Sequence, residues 1–185
     1  MIDDIVKAAL RKWPNVPHCY GWLALDARGQ WFMRDDRIQR AGPFPQVKGS
    51  RIDHPKLLEF SARNYDHDCA GCWFFQNGPQ RVYVELEAAP WVWRLDASGA
   101  VDSVTSHTGI SASVHSTWLD EHGRLFIDTE RGLGIVHTQD MHLAARAVEL
   151  GAWQPRLLPF ADLPVRFGFV LRPQRSAPLS GPSIH

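Results

Sequence analysis

The stretch Trp73-Phe74-Phe75-Gln76-Asn77-Gly78-Pro79-Gln80-Arg81-Val82-Tyr83-Val84-Glu85-Leu86 reads as a β-hairpin. An aromatic run enters a turn, and Asn77-Gly78 supplies the residues that tolerate positive φ. The returning run alternates. Val82, Val84 and Leu86 fall on one face, and Arg81, Tyr83, Glu85 and Glu87 on the other, which is the period of two of a strand. One apolar and one polar face suit an antiparallel sheet with a single buried side.

The neighbouring segments extend this pattern. Upstream, Asp53 is placed to cap a helix with Pro55 in its first turn and with Leu58, Ala62 and Tyr65 on one face. Farther upstream, Tyr20–Leu25 and Gln30–Met33 flank Asp26-Ala27-Arg28-Gly29, a second hairpin. Between them, residues 34–51 read as a loop containing Pro43 and Pro45. The chain opens with Ile2, Ile5, Val6, Ala9, Leu10 and Trp13 on one helical face, acids first and Lys7, Arg11 and Lys12 later, until Pro14.

Downstream, Pro90–Leu95 is a strand that turns at Ala97-Ser98-Gly99. Trp118–Phe126 then repeats the strand, D-x-x-G turn and aromatic strand of Leu25–Phe32. A helix capped by Thr138 follows, with Met141, Ala144, Ala145 and Val148 inward and Gly151 as its stop. Val165–Leu171 reads as a last strand, and residues 173–185 as a mobile Pro/Ser-rich tail. The fold class is α+β, mostly antiparallel β-hairpins with about three helices. The expected division is residues 1–97, residues 98–172 and the tail. The repeated order admits two related halves or a coincidence of common hairpins.

Composition bounds the function. The chain has 185 residues, 20 basic against 20 acidic, and is 44% hydrophobic, which excludes intrinsic disorder. Zero net charge argues against a nucleic-acid binder held by phosphate neutralisation. No run approaches the roughly 20 apolar residues of a membrane span. Asp3 and Asp4 stand where a signal peptide carries positive charge, and Cys19, Cys69 and Cys72 are too few and odd for a disulfide scaffold. The expectation is a cytoplasmic protein with reduced thiols. Its eight tryptophans are expected mainly in strands, as packing anchors.

Three blocks, Trp22–Trp31, Arg51–Tyr65 and Trp73–Glu87, follow the order W-[LF]-x-L-D-x-x-G-x-W, R-I-x-H-x-x-L-x-x-F-x-x-R-N-Y and W-F-F-Q-N-G-P-Q-R-V-Y-V-x-L-E. This order resembles an uncharacterised proteobacterial family of unknown function. Glu87-Ala88-Ala89-Pro90-Trp91 and Thr105–Gly109 are similar, more distantly, to a second uncharacterised family, which pairs an α+β domain with a pleckstrin-homology-like barrel. The resemblance spans residues 21–109. It implies such a barrel in the second half and, by analogy alone, a non-catalytic or regulatory role.

The chemistry-bearing candidates are few. His67-Asp68-Cys69-Ala70-Gly71-Cys72 contains H-x-C-x-x-C, three soft ligands to which Cys19 or His18 could add the fourth that tetrahedral zinc requires. No second knuckle accompanies it, and Cys72 precedes a strand in which it reads equally as a small buried hydrophobe. The histidines are scattered, and His137 and His142 lie five apart, off the spacing that aligns two ligands on a helix. No G-x-S-x-G elbow is present, and Gly132-Leu133-Gly134 is too short to cradle a phosphate. Arg34, Arg37, Arg40, Lys48 and Arg51 form a local basic stretch. The leading expectation is a non-catalytic regulatory or binding module that takes an unidentified protein or small molecule in a cleft between its halves. Its candidate surface is Arg51, Arg63, Asn64, Tyr65, Asn77, Gln80 and Arg81, with no cofactor. The alternative is a zinc protein, structural or hydrolytic, using His67, Cys69, Cys72 and Cys19.

Overall fold

In a computed structural model describing residues 2–176, the hairpin forms as β5 (Trp73–Asn77) and β6 (Gln80–Leu86). Its register pairs Asn77 with Gln80 and Phe75 with Val82, around a Gly78 at φ 56°. The first sheet adds β1 (Cys19–Leu25), β2 (Trp31–Met33), β3 (Ser50–Arg51) and β4 (Tyr65–His67), in the order β3-β2-β1-β6-β5-β4. Pairing is antiparallel except where β1 runs parallel to β6. The expected split of faces is met: Val84 and Leu86 are buried in the main core, whereas Glu85 faces a charged partner.

The second sheet closes on itself. It contains β7 (Trp91–Arg94), β8 (Ser103–Ser106), β9 (Ser111–Leu119), β10 (Leu125–Thr129) and β11 (Gly132–Val136). They run in the order β10-β11-β7-β8-β9, and β9 also pairs with β10, which completes a five-stranded barrel. β12 (Arg156–Leu157) adds to β9 in parallel. A barrel in the second half is what the family resemblance implies. Closure also removes the open edges that invite unwanted strand pairing.

One core joins the sheets. Leu25, Val84 and Leu86 of the first pack in the same cluster as Trp91, Trp93, Phe126, Ile127 and Leu133 of the barrel. Trp93 is fully buried and its Nε1 donates to the Ile127 carbonyl at 3.0 Å. Gly134 is required beneath it, because a Cβ there would run into the Trp93 indole. Ala24, Phe32 and Phe44 form a smaller cluster of their own.

Five α-helices are present among the described residues: α1 (Asp4–Lys12), α2 (Asp36–Ala41), α3 (Pro55–Arg63), α4 (Met141–Glu149) and α5 (Leu163–Phe167). Two of them depart from the sequence reading. α2 lies in the expected loop: Asp35 accepts from the Ile38 N–H at 2.9 Å, but the helix buries no residue, so it lacks the apolar stripe that periodicity detects. α5 replaces the start of the expected strand Val165–Leu171, with Pro164 in its first turn and Gly168 ending it at φ 67°.

Smaller differences follow from capping. His54, not Asp53, is the N-cap of α3, and Asp53 instead pairs with Arg51 at 2.7 Å. Tyr65 lies beyond that helix, as the first residue of β4. α4 follows a 3-10 turn, Thr138–Asp140, where His137 Nδ1 accepts from the Gln139 N–H, and it buries Ala144 and Ala147 while Val148 is exposed. Trp13 and Trp22 are exposed, whereas the other six tryptophans are buried as expected. Of the expected tail, residues 177–185 lie outside the described residues. Among the described residues no helix is long and apolar enough to cross a membrane.

Candidate functional site

The His67–Cys72 segment is built around Asp68. Its Oδ1 accepts from the Ala70 and Cys72 N–H groups, both at 3.0 Å, and its Oδ2 accepts from the Tyr83 hydroxyl at 3.0 Å. The Gly71 N–H returns to the Asp68 carbonyl, and Gly71 takes φ 81°. A Cβ at Gly71 would run into the Gly168 carbonyl, and the Gly71 carbonyl accepts from the Val170 N–H. This segment is thus a tight turn against which the chain after α5 docks.

Burial, reinforced by the neighbouring Asp68 charge, pushes the Cys72 thiol pKa up, away from the thiolate that metals bind. Cys19 lies on β1, and all three cysteines are free thiols. Among the described residues no three His, Cys, Asp or Glu side chains are placed to share a metal ion. The zinc reading of His67, Cys69, Cys72 and Cys19 is therefore not favoured.

The seven residues expected as a ligand surface are dispersed. Asn64 is fully buried, with Oδ1 accepting from the Asp3 N–H and Nδ2 donating to the Phe60 carbonyl. Tyr65 is buried and donates its hydroxyl to the Pro90 carbonyl at 2.8 Å. Arg63 pairs with Asp3 and Glu59, and Arg51 with Asp53. Gln80 and Arg81 meet the segment before β1: Gln80 Nε2 donates to the Pro17 carbonyl, and the Arg81 N–H donates to His18 Nδ1. The Arg81 guanidinium lies 4.3 Å from the Phe74 ring centroid.

The basic stretch is largely neutralised in place. Arg34 is buried against Glu85 at 3.2 Å and donates to the Gly42 and Val47 carbonyls. Lys48 bridges Asp26 at 3.0 Å and Glu87 at 3.7 Å.

Of the seven, Arg63 lines a hollow beside α1 together with Asp3, Asp4 and Lys7, and Asn77 lines an apolar groove. α3 covers only part of the apolar face of the first sheet, leaving a groove of about 260 Å³. Leu57, Phe60 and Ser61 of α3 form one wall; Leu23, Met33, Phe75 and Val82 form the other. Trp22 reaches this groove because a register shift in β1 between Cys19 and Leu23, with Gly21 at φ 81°, interrupts the strand's alternation. Trp22, Met33 and Leu57 are 39%, 49% and 39% exposed there. No charged residue lines the groove, and Ser61 and Asn77 are its polar groups. An apolar concavity with few polar handles is the usual form of a small-molecule site.

The family model DUF2944, described as "Protein of unknown function (DUF2946)", matches residues 2–174. The chain belongs to this family. No match was found among curated proteins. Among solved structures, a DUF1285 family protein from Silicibacter pomeroyi DSS-3 aligns at 14% identity over 77% of this chain and 82% of that one, with a TM-score of 0.48. A DUF1285 family protein from Shewanella baltica OS155 aligns at 16% identity over 68% and 91%, with a TM-score of 0.45. The DUF2944 match takes in both sheets and every residue of the groove.

A second set of titratable groups lies where the sheets of this DUF2944 chain meet. Asp140 accepts two guanidinium N–H bonds from Arg94, at 2.7 and 3.0 Å, and these bonds lower its pKa. Burial lowers the pKa of His137, and Arg94 lowers it further. His107 is enclosed by Trp31, Tyr65 and Trp91, with ring centroids 5.7 to 5.9 Å away. Periodicity marks the apolar faces, but nothing in the sequence pairs Arg94 with Asp140, or His107 with three aromatic rings from distant elements.

Proposed function

We propose that this chain is a non-catalytic binding module that takes a small, neutral, mainly apolar ligand in the groove between α3 and the first sheet. One observation carries the reading: the groove wall bears no charge while exposing Trp22, Met33 and Leu57 together. Exposed apolar side chains gathered in one concavity mark a binding surface more often than scattered ones. Ser61 and Asn77 supply a hydroxyl and a carboxamide, enough to orient a ligand with one polar end. We further propose a cytoplasmic location, in keeping with three free thiols.

The test is an NMR titration of the whole chain with 2-naphthol. Saturable shifts at the Trp22 indole and the Met33 methyl, weakened about tenfold or more in Leu57→Glu, support the proposal. Shifts that avoid the groove, or an unchanged affinity in that exposed-site variant, overturn it.

A further inference from the structure

We propose a second and independent site, for a small aromatic carboxylate, in the cleft between the end of the first sheet and the barrel. The cleft has a volume of about 190 Å³, and both sheets contribute to its wall. From the first sheet come His67 and Trp73, with ring centroids 4.8 Å apart. From the barrel come Glu130, Arg131, Gly132 and Leu133, and from the chain after α5 comes Phe169.

Arg131 supplies the charge. It sits in the tight turn between β10 and β11, where its N–H donates to Thr129 Oγ1 at 3.0 Å and its carbonyl accepts from Trp91 Nε1 at 2.8 Å. Its backbone is therefore fixed from both sides. The guanidinium forms no ion pair among the described residues. The Glu130 carboxylate shares the cleft wall, and its Oε2 is held by the Ser113 N–H at 2.8 Å and lies 3.9 Å from His115. A planar guanidinium with free N–H groups matches a carboxylate in a two-bond geometry.

His67 adds a directional acceptor. Its Nδ1 lies 3.0 Å from the Asp68 carbonyl, which can only accept, so in the neutral ring Nδ1 carries the proton and Nε2 holds a lone pair. Trp73 is itself held at 5.2 Å from Trp91 and 4.8 Å from Tyr65, so its ring is a fixed wall. A cation, a bare nitrogen and an aromatic wall together complement a flat carboxylate that also carries an N–H or O–H donor.

The experiment titrates the full chain with indole-3-acetate, with neutral indole-3-acetamide and with inorganic phosphate, read by amide and indole NMR shifts. Indole-3-acetate is expected to move the Trp73 indole and the Gly132 and Gly168 amides. The acetamide, and indole-3-acetate on Arg131→Gln, are expected to bind about tenfold or more weakly, with Arg131→Lys in between. Arg131 is exposed, so an unchanged melting temperature shows that each variant folds. His67→Phe keeps the ring packing and removes the acceptor, and a severalfold loss is expected. Equal binding of acetate and acetamide, no effect of Arg131→Gln, shifts confined to Trp22 and Met33, or the same shifts from phosphate alone would each overturn the proposal.

Discussion

Replacing His107 by asparagine should flatten the acid side of this protein's stability profile. His107 Nδ1 accepts from the Val92 N–H at 3.2 Å, so the neutral ring carries its proton on Nε2, which is buried with no hydrogen-bond partner. Protonation would place a cation among Trp31, Tyr65 and Trp91, and burial pushes the pKa from 6.5 to about 3, with nearby Asp26 opposing in part. A folded pKa below the unfolded one means that the unfolded chain binds more protons. Stability from this group is thus fully present above the unfolded value of 6.5 and is lost as the pH falls below it. At about 1.4 kcal/mol per pH unit, the full shift amounts to on the order of 4 to 5 kcal/mol. Part of the residue still reaches solvent, which favours the low end of that range.

Between pH 7 and 5 alone the loss should be about 2 kcal/mol. Asparagine keeps an acceptor near the Nδ1 position for the Val92 N–H but does not titrate. Urea unfolding of both proteins at each half pH unit is the assay. The stability difference between wild type and His107→Asn should fall by about 2 kcal/mol over that interval. Parallel curves, or an NMR titration of His107 near pH 6.5, would refute the reasoning.

Gly71→Ala should destabilise by about 2 to 3 kcal/mol in thermal unfolding, because φ 81° and the Gly168 carbonyl both oppose a Cβ. Asp140→Asn should cost about 1 kcal/mol at pH 7 in urea unfolding, since Arg94 keeps only a neutral partner and is itself half exposed. The pKa of Asp140 is lowered in the fold, so this contribution is present at neutral pH, fades on acidification, and the mutant and wild-type curves should converge at low pH. A chelator should leave the melting temperature unchanged, and Cys69→Ser should stay within about 0.5 kcal/mol of wild type, because Cys69 is exposed and its turn is held by Asp68.

Elements with a local signature were readable in the sequence. The hairpin β5–β6 shows both its turn and its alternation, and α1 shows its apolar stripe, although only Val6 of that stripe is buried. α2 has a cap but no stripe, and α5 carries its proline in the first turn of a segment rich in β-formers, so their helicity depends on surroundings that periodicity does not encode. The long-range pairings were not readable either. The parallel contact of β1 with β6, the closure of β9 on β10, and the Leu86 N–H bond to the Leu171 carbonyl depend on which surfaces meet after folding. The site suffered for the same reason. Arg51, Arg63 and Arg81 looked available in sequence, but Asp53, Asp3 and the Phe74 ring occupy them. The groove instead depends on how far α3 fails to cover the sheet.

The D-x-x-G turns share one hydrogen-bond plan. At Asp26 the side chain accepts from the Arg28 and Gln30 N–H groups, the Gly29 N–H returns to the Asp26 carbonyl, and Gly29 takes φ 78°. Asp120 does the same with His122, Arg124 and Gly123 at φ 75°. This is a type I turn closed by a left-handed glycine, a self-sufficient hairpin connection. Asp68 repeats it with Ala70, Cys72 and Gly71, and Ser106 repeats it through its hydroxyl with Thr108, Ile110 and Gly109. Four copies on different strand pairs identify a local solution to chain reversal, so the likeness of Asp26 to Asp120 does not by itself argue for duplicated halves. The same spacing explains the cysteines. In Asp68-Cys69-Ala70-Gly71-Cys72 the positions that the turn fixes are Asp68 and Gly71, while Cys69 fills an exposed place and Cys72 the first residue after the reversal. H-x-C-x-x-C there is a D-x-x-G turn with thiols at its unconstrained positions, and the aspartate, which a search for soft ligands passes over, is the residue that holds it.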